Sequence, residues 1–536
     1  MLRIKLFNGI NFNIKTFIKF IYFILLKEVI FFMKKTTKII LTLLYVLFGF
    51  AIIASCDNKS GEESKENANA AYAGENAGEA GEAQNADDGL LRDNVPALNF
   101  GGYEYRILWC DYGPRGGANF YPESEEGEIL NDTIYKRNQK IQERFNVKLK
   151  AATVVDGQGE AVSLNTLVKN VQAGADEYDM QIMVDREATT AAGRGLLYPI
   201  SGMEYIDLSQ PYWLHDVNNI LTVGGKLAWA FSEEMLSVFE NTLAVFYNKK
   251  QAQDFGFEDL YKLVGDGRWT FDKFFEYAKA GIKDVDGDGK MGKDDYWGIT
   301  AGFDEYYPNF WIGAGILSVE KDENDMPYFS LPGNARFLSV AQKIFDAKET
   351  EGMYIDAHTK QMATGTGLAA GIEFFKSGYS VFLSATIQEM VKLRDMPDDF
   401  GVVPFPKYDD AQSNYCSRIS GGRPFVIPAT NQRPDIAGAL MEAMACETRN
   451  TVYPAYYESS LKIKFSRDPE TVEMLDLVRD TLVYDLGDTI WYEALRSPLT
   501  AALSGKNNTI ASWIEKNEAK IANEIQKTAD AILGAY

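Results

Sequence analysis

The sequence predicts an α/β fold with mostly parallel strands arranged in more than one sheet. From about residue 99 onward, short apolar runs of strand length alternate with longer amphipathic segments of helical period. This alternation is typical of α/β folds, in which each helix returns the chain to begin another parallel strand. The 536 residues exceed what one hydrophobic core usually holds, so we expect two sheets.

The first predicted elements follow this alternation in order. An apolar run over 105–109 predicts a buried strand, and the apolar face shared within 134–145 predicts an amphipathic helix. A second strand is predicted over 179–184, where it ends in a polar run. A third is predicted over 243–247, after a Gly-Gly turn.

The second half of the chain is predicted to be richer in helix. Helices are expected over 271–280 and 335–348, a strand over 379–383, and a crossing segment over 401–405. An isoleucine stripe within 514–532 predicts an amphipathic last helix.

The first 55 residues have the pattern of a targeting segment. A charge-free run over 39–55 follows three lysines and ends in small residues before Cys56, which is the layout of a secretory signal. The run Ile53-Ala54-Ser55-Cys56 resembles the lipobox of bacterial lipoproteins, which implies lipidation of Cys56. The alternative is a transmembrane anchor, since seventeen residues can just span a bilayer. We expect translation to start at Met33.

A flexible acidic linker is predicted to follow over 56–98. The segment is dominated by Ala, Gly, Asn, Glu and Ser, and it cannot bury enough apolar surface to offset the entropy of ordering.

The charge of the chain excludes several classes of function. The net charge is −22, and residues 56–536 carry 46 basic and 75 acidic side chains, net −29. Binding to nucleic acid or to anionic lipid needs a basic surface. Two histidines leave little room for a multi-His metal site. No P-loop or G-x-S-x-G motif is present. Paired carboxylates are abundant, so a glycosidase stays open as an alternative.

One acidic loop has the spacing of a calcium site. Asp284, Asp286 and Asp288 alternate before a Gly, Lys290 would offer its backbone carbonyl, and Asp295 stands at position twelve. The loop predicts one structural Ca²⁺. The alternative is a solvated acidic turn.

Aromatic residues recur in predicted loops beside Gly, Pro or charged residues. Examples are Tyr306, Trp311 and Trp491. Aromatic rings that stack on the apolar face of a sugar, with polar groups on its hydroxyls, make carbohydrate sites. The pattern therefore predicts a sugar site with aromatic walls.

Several longer phrases occur in the order known from one protein family. These phrases are Asn131-Asp-Thr-Ile134, Ile206-Asp-Leu-Ser-Gln-Pro-Tyr-Trp213, Leu243-Ala-Val-Phe-Tyr-Asn-Lys249, Gly401-Val-Val-Pro-Phe-Pro406 and Thr451-Val-Tyr-Pro-Ala-Tyr-Tyr457. From about residue 99 the chain resembles the extracellular solute-binding proteins of ATP-driven sugar importers, the group that contains maltose-binding protein.

The resemblance implies a two-lobed, periplasmic-binding-protein-like type II fold with a ligand cleft between the lobes. Lobe 1 would comprise 99–235 and 403–450, and lobe 2 would comprise 236–402 and 451–536. Matching motifs then imply ligand contacts at Asp185, Arg186, Glu240, Glu305, Tyr306, Trp491 and Arg496. Structural roles are the alternatives, such as a helix cap for Asp185, a solvated charge for Glu240 or a core position for Trp491.

The resulting hypothesis is a lipid-anchored receptor on the outer face of the cell membrane. It would bind an oligosaccharide as a monomer and deliver it to ABC permease subunits, with no enzymatic activity and no nucleic-acid partner. One alternative is a cell-surface glycoside hydrolase or polysaccharide-degrading enzyme. Another is a receptor for a peptide or polyamine.

Overall fold

The computed structural model describes residues 89–111, 120–155, 161–233, 236–457 and 468–536. Asp87 to Tyr536 form one compact unit. The targeting segment, Cys56 and most of the predicted linker lie outside the described residues.

The described residues contain fourteen strands. They are β1 (Tyr103–Asp111), β2 (Val147–Val155), β3 (Met180–Ile182), β4 (Leu197–Tyr198), β5 (Leu243–Asn248), β6 (Trp297–Ala301), β7 (Val319–Lys321), β8 (Pro327–Phe329), β9 (Tyr354–Asp356), β10 (Ser380–Thr386), β11 (Phe400–Val403), β12 (Ser417–Arg418), β13 (Phe425–Pro428) and β14 (Leu482–Val483).

Helices connect and cover these strands. They are α1 (Ile129–Phe145), α2 (Val162–Gln172), α3 (Asp185–Gly193), α4 (His215–Leu221), α5 (Ser237–Glu240), α6 (Lys249–Asp254), α7 (Leu260–Gly265), α8 (Phe271–Ala280), α9 (Phe303–Gly313), α10 (Ala335–Lys348), α11 (Leu368–Lys376), α12 (Met390–Leu393), α13 (Pro434–Glu447), α14 (Tyr453–Ala455), α15 (Pro469–Asp480), α16 (Leu486–Thr489), α17 (Ser497–Ser504) and α18 (Ile510–Ala535). A 3₁₀ turn at Ile387–Glu389 and π-helical turns at Thr448–Val452 and Tyr492–Arg496 complete the list.

Two five-stranded sheets form the centre of the fold, as the α/β prediction requires. Their strand orders are β2-β1-β3-β13-β4 and β11-β5-β10-β6-β9. The prediction of mostly parallel sheets is confirmed for four of the five strands in each sheet, and the exceptions are β13 and β5, which run antiparallel to both of their neighbours. In chain order β5 comes after the four early strands of the first sheet, and β13 comes after the strands of the second. Each therefore enters its sheet from the other one and runs against the local direction.

The helices predicted over 271–280 and 335–348 are confirmed as α8 and α10. Each begins at a capping side chain: Thr270 accepts the N–H of Lys273, and Asn334 accepts the N–H of Phe337. Such caps satisfy backbone donors that a helix leaves unpaired at its first turn.

The last helix, α18, packs against segments that follow β3 and β4 of the first sheet. Its Ala531 lies at Gly193 at the end of α3, and its Leu533 lies at Gly224. At Gly224, which has a φ of +54°, an added Cβ would come within 2.8 Å of Leu533 Cδ2. The isoleucine stripe predicted for this helix is buried, at Ile514, Ile521, Ile525 and Ile532.

Residues before Leu98 also belong to the packed structure. Val95 is buried, Arg144 pairs with Asp93 at 2.6 Å between Nη1 and Oδ2, and Asn450 accepts the N–H of Leu91 at 2.9 Å. Within the described ranges, no helix has both the length and the apolar character needed to cross a bilayer.

Candidate functional site

A cleft of about 260 Å³ lies where the ends of several strands from the two sheets meet. On the side of the first sheet, residues 184–186 follow β3 and residues 420–423 precede β13. On the side of the second sheet, residues 304–305 follow β6 and residues 386–389 lie at and just beyond the end of β10. Ligand sites of α/β sheets form outside the carboxyl ends of such strands.

Asp185 connects the two segments that line the cleft on the side of the first sheet, residues 184–186 and 420–423. Its Oδ2 accepts the N–H of Gly422 at 2.9 Å and the hydroxyl of Tyr484 at 2.8 Å. Its Oδ1 accepts the N–H of Arg186 at 2.8 Å. Gly421 has a φ of +124°, and an added Cβ there would lie 3.2 Å from Asp185 Oδ2. Burial raises the pKa of Asp185, whereas these hydrogen bonds lower it. Asp185 therefore lines the cleft and also fixes its backbone.

Arg186 stands exposed at the mouth of the cleft. Its guanidinium carbon lies 5.6 Å from the ring centre of Tyr492, and that of Arg496 lies 4.0 Å from the same ring. Both distances are within the range of cation–π contacts. The tyrosine therefore orients two arginines of the cleft.

Four buried atoms of cleft residues have no hydrogen-bond partner among the described residues, and one of them, Glu389 Oε2, is in an ion pair with Lys392 at 2.5 Å. The other three are Asp304 Oδ1, Glu305 Oε2 and Arg496 Nε. Arg496 is 8% exposed, and its Nη2 lies 3.6 Å from Asp304 Oδ2. A buried polar group without a partner costs about 1–3 kcal/mol. A polar ligand that reaches these atoms would recover that free energy.

A buried ion pair holds the backbone of Asp304 in place. Arg418 binds Asp488 in bidentate fashion, Nε to Oδ2 at 2.7 Å and Nη2 to Oδ1 at 3.0 Å. The same guanidinium donates from Nη1 to the carbonyl of Asp304 at 2.9 Å. The pair therefore holds the first turn of α9 at the cleft.

Glu305 packs against His358 over a glycine. Its Oε2 lies 3.7 Å from His358 Nε2, and a Cβ at Gly302 would come within 2.1 Å of that oxygen. Burial raises the pKa of Glu305, and the charge of His358 opposes this shift. A side chain at position 302 would therefore displace the Glu305 carboxylate or the His358 ring from its present place.

Glu240 lies beside the cleft, next to the lining residue Asn241. It is buried, and burial raises its pKa, while the charge of Arg423 and a hydrogen bond with Tyr456 lower it. Arg423 lines the cleft and its N–H donates to Ser237 Oγ at 3.2 Å. Glu240 therefore faces an arginine of the cleft wall.

The structure places the three predicted aromatic contacts outside the cleft. Tyr306 is 1% exposed and stacks on Tyr354, with ring centres 4.0 Å apart. Trp311 donates from Nε1 to the buried Asp485 at 3.0 Å. Trp491 donates to Thr528 at 3.2 Å and lines a separate cavity of about 30 Å³ under α18. Tyr306 and Trp311 lie away from the cleft because they belong to α9, which is buried from Tyr306 onward.

Asn241, Gln388 and Arg423 also line the cleft, although the sequence did not predict them as ligand contacts. The segment Ser420-Gly-Gly-Arg423 offered a signal, since a Gly-Gly turn directly precedes the buried strand β13. For Gln388 the sequence offers no comparable signal.

The acidic loop forms a compact turn between α8 and β6. Carboxylate oxygens of Asp284, Asp286 and Asp295 lie within 4.8 Å of one another. Asp284 accepts the N–H groups of Gly287 at 2.7 Å and Gly289 at 2.8 Å.

One predicted ligand, Asp288, is not part of this acidic cluster, and its Oδ1 accepts the N–H of Lys290 at 2.8 Å. No residue of the loop lines the cleft.

Several solved structures have a fold similar to that of this chain over most of its length. An ABC substrate-binding protein from Listeria monocytogenes in complex with cycloalternan is 12% identical, with a TM-score of 0.50 over 79% of this chain and 99% of that one. The galacto-N-biose/lacto-N-biose I-binding protein of the ABC transporter from Bifidobacterium longum is 14% identical, with a TM-score of 0.51 over 80% and 98%. A sugar transporter from Rhizobium etli in an open conformation is 12% identical, with a TM-score of 0.51 over 80% and 99%.

The chain has the two-lobed fold of ABC substrate-binding proteins. No family model matches the sequence, and no curated protein matches it. The cleft described above lies between the two sheets of this fold. Asp185, Arg186, Glu305 and Arg496 are the predicted residues that line it.

Proposed function

We propose that this protein is the extracellular carbohydrate-binding receptor of an ABC importer and does not transform its ligand. The observation that supports the proposal best is that Asp304, Glu305 and Arg496, which line the cleft, each carry a buried polar atom without a hydrogen-bond partner among the described residues. A sugar hydroxyl both donates and accepts, so it can satisfy carboxylate oxygens and a guanidinium N–H together. Two of the similar structures are complexes with carbohydrates, one with cycloalternan and the other with lacto-N-biose.

Calorimetry and thermal unfolding with a panel of sugars test this proposal. We expect one sugar to raise the melting temperature, and Arg496→Gln to weaken its binding at least about tenfold, because a charge-assisted hydrogen bond contributes roughly 1.5–3 kcal/mol. Asp216→Asn, at a fully exposed carboxylate outside the cleft, is the matched control. Binding of a peptide or a polyamine with no response to any sugar would contradict the proposal.

The enzymatic alternative predicts products rather than a stable complex. Incubation of the protein with the bound sugar should release no reducing ends and leave the sugar chain length unchanged. Turnover that disappears in a Glu305→Gln variant would establish a hydrolase and overturn the receptor proposal.

We further propose that a lipid on Cys56 anchors the receptor to the outer face of the cell membrane. Cys56→Ser should leave the protein unprocessed or release it into the medium, because the lipobox cysteine provides the acylated sulfur. Fractionation and mass spectrometry of the N terminus would measure this, with Cys416→Ser as the control. Normal processing and membrane retention of Cys56→Ser would contradict the anchor.

We propose in addition that the acidic loop binds one structural Ca²⁺. Hard carboxylate oxygens gathered in a turn suit this ion, and Asp284, Asp286 and Asp295 would hold it. Asp288 and the carbonyl of Lys290 complete the loop pattern in sequence. An ion that binds only the folded state adds about 2.7 kcal/mol at a hundredfold excess over Kd.

Chelation should therefore lower the melting temperature by a few degrees, and added Ca²⁺ should restore it. Asp286→Ala should remove this sensitivity and leave sugar affinity unchanged. Asp294→Ala is the matched control, because Asp294 lies in the same loop, outside the cluster, paired with Lys293. A melting temperature indifferent to chelator would mean that the loop is an acidic turn.

A further inference from the structure

The charges around the three unpartnered atoms do not balance. Asp488 is matched by its bidentate partner Arg418. Arg496 lies 3.6 Å from Asp304 and 3.7 Å from Asp488, and Glu305 is next to Asp304 in the same wall of the cleft. Three carboxylates, those of Asp304, Glu305 and Asp488, therefore stand here against two guanidinium groups, those of Arg418 and Arg496. A carboxylate without a partner in a buried site favours a cationic partner over a neutral one.

The described walls of the cleft also lack a stacking surface. None of the described residues that line it is aromatic. The nearby ring of Tyr492 is already contacted by the guanidinium groups of Arg186 and Arg496. A neutral sugar obtains much of its affinity from an aromatic ring on its apolar face. Here polar and charged contacts must supply that free energy.

The cleft is small. Its volume of about 260 Å³ lies below the range of roughly 300–1,000 Å³ that is common for drug-sized ligands. A compact ligand fits this space better than a long chain.

We propose that the ligand is an amino sugar with a free, protonated amine, which pairs with Asp304 and Glu305 while an adjacent hydroxyl accepts from Arg496 Nε. The inference rests on the proposed function, since it names the class of carbohydrate. One vicinal amino alcohol satisfies both orphaned carboxylate oxygens and the orphaned N–H. It also cancels the excess negative charge.

The other arginines of the cleft do not favour an anionic ligand instead. Arg423 is opposed by the buried Glu240. Arg186 stands at the exposed mouth, where solvent screens its charge. An acidic sugar that reached Arg496 would meet Asp304 and Glu305, and like charges in a buried site repel.

A matched series of sugars tests the inference by calorimetry on the purified full chain. The probes are glucosamine, N-acetylglucosamine and glucose, each as the monosaccharide and as the β-1,4 disaccharide, with glucuronic acid and putrescine added. We expect an amine-bearing sugar to bind at least about tenfold more tightly than its acetylated and neutral counterparts. Raising the salt concentration should weaken that preference.

Variants then separate recognition of the amine from folding. Asp304→Asn and Glu305→Gln should each remove at least tenfold of the preference for the amine, with a melting temperature close to that of the unchanged protein. Asp216→Asn should keep the preference. A preference that survives both carboxylate substitutions would overturn the inference.

The outcomes also separate this inference from the proposed function. The amino-sugar inference is overturned if a neutral, acetylated or acidic sugar binds as tightly as the amine-bearing one, or if no amine-bearing sugar binds. Binding of any sugar leaves the receptor proposal standing. If putrescine binds and no sugar does, the carbohydrate receptor and the amino sugar both fail.

Discussion

Asp488→Asn should destabilise the protein by about 3–5 kcal/mol, because it leaves the charge of Arg418 buried without its counter-ion. Both side chains are almost completely buried, with relative exposures of 1% for Arg418 and 0% for Asp488. The guanidinium cannot turn to water without leaving the carbonyl of Asp304 that it also contacts. Denaturant unfolding followed by circular dichroism would measure the loss.

A partly exposed ion pair provides the control for this variant. Arg433 and Asp435 form a pair with side chains 41% and 38% exposed, and Asp435→Asn should change stability by no more than about 1 kcal/mol. Replacing both buried partners, as in Arg418→Met with Asp488→Leu, should recover much of the loss, since apolar replacements often equal a buried pair. A loss for Asp488→Asn no larger than that of the control would contradict the role assigned to the pair.

Glu442→Ala should also cost roughly 3 kcal/mol or more, because each buried donor left without its acceptor costs about 1–3 kcal/mol. The carboxylate in α13 accepts the hydroxyl of Tyr212 at 2.5 Å, Nε1 of Trp213 at 2.9 Å and the N–H of Asp207 at 3.1 Å. These three donors belong to one loop, which lies between β4 and α4. Near-UV circular dichroism should report the loosened aromatic residues together with the lower unfolding midpoint.

Two further variants make this prediction specific. Glu442→Gln keeps one acceptor and should lose less stability than the alanine variant. Glu447→Gln, at the end of the same helix and paired with the exposed Lys140, should lose little.

Burial raises the pKa of Glu442 above its ordinary value. The folded state therefore favours the protonated form, so its contribution is full at low pH and declines as the pH rises through the folded pKa. Glu442→Gln should abolish that part of the pH dependence.

Local patterns were sufficient to predict several elements. The helices over 271–280 and 335–348 match the structure, because a helix is specified by apolar spacing and by caps such as Thr270 and Asn334 within a few residues. The positions of Asp185 and Arg186 at the end of β3 also follow from a short apolar run that ends in charge.

The strand directions needed the tertiary structure. The alternation of strands and helices along the chain cannot reveal that the chain passes from one sheet to the other before β5 and again before β13. Nor can it reveal that both strands run antiparallel to their neighbours. Each direction depends on a partner strand more than a hundred residues away.

The sequence by itself determined the α/β class and several of the long helices, and its family resemblance singled out Asp185 and Glu305, which line the cleft. Only the tertiary structure decided which aromatic residues could reach a ligand. Tyr306 and Trp311 follow Glu305 on the same helix, but burial of α9 turns them onto Tyr354 and Asp485. The physical reason is that a side chain's environment depends on how its helix packs against distant segments, and local spacing carries no record of that packing.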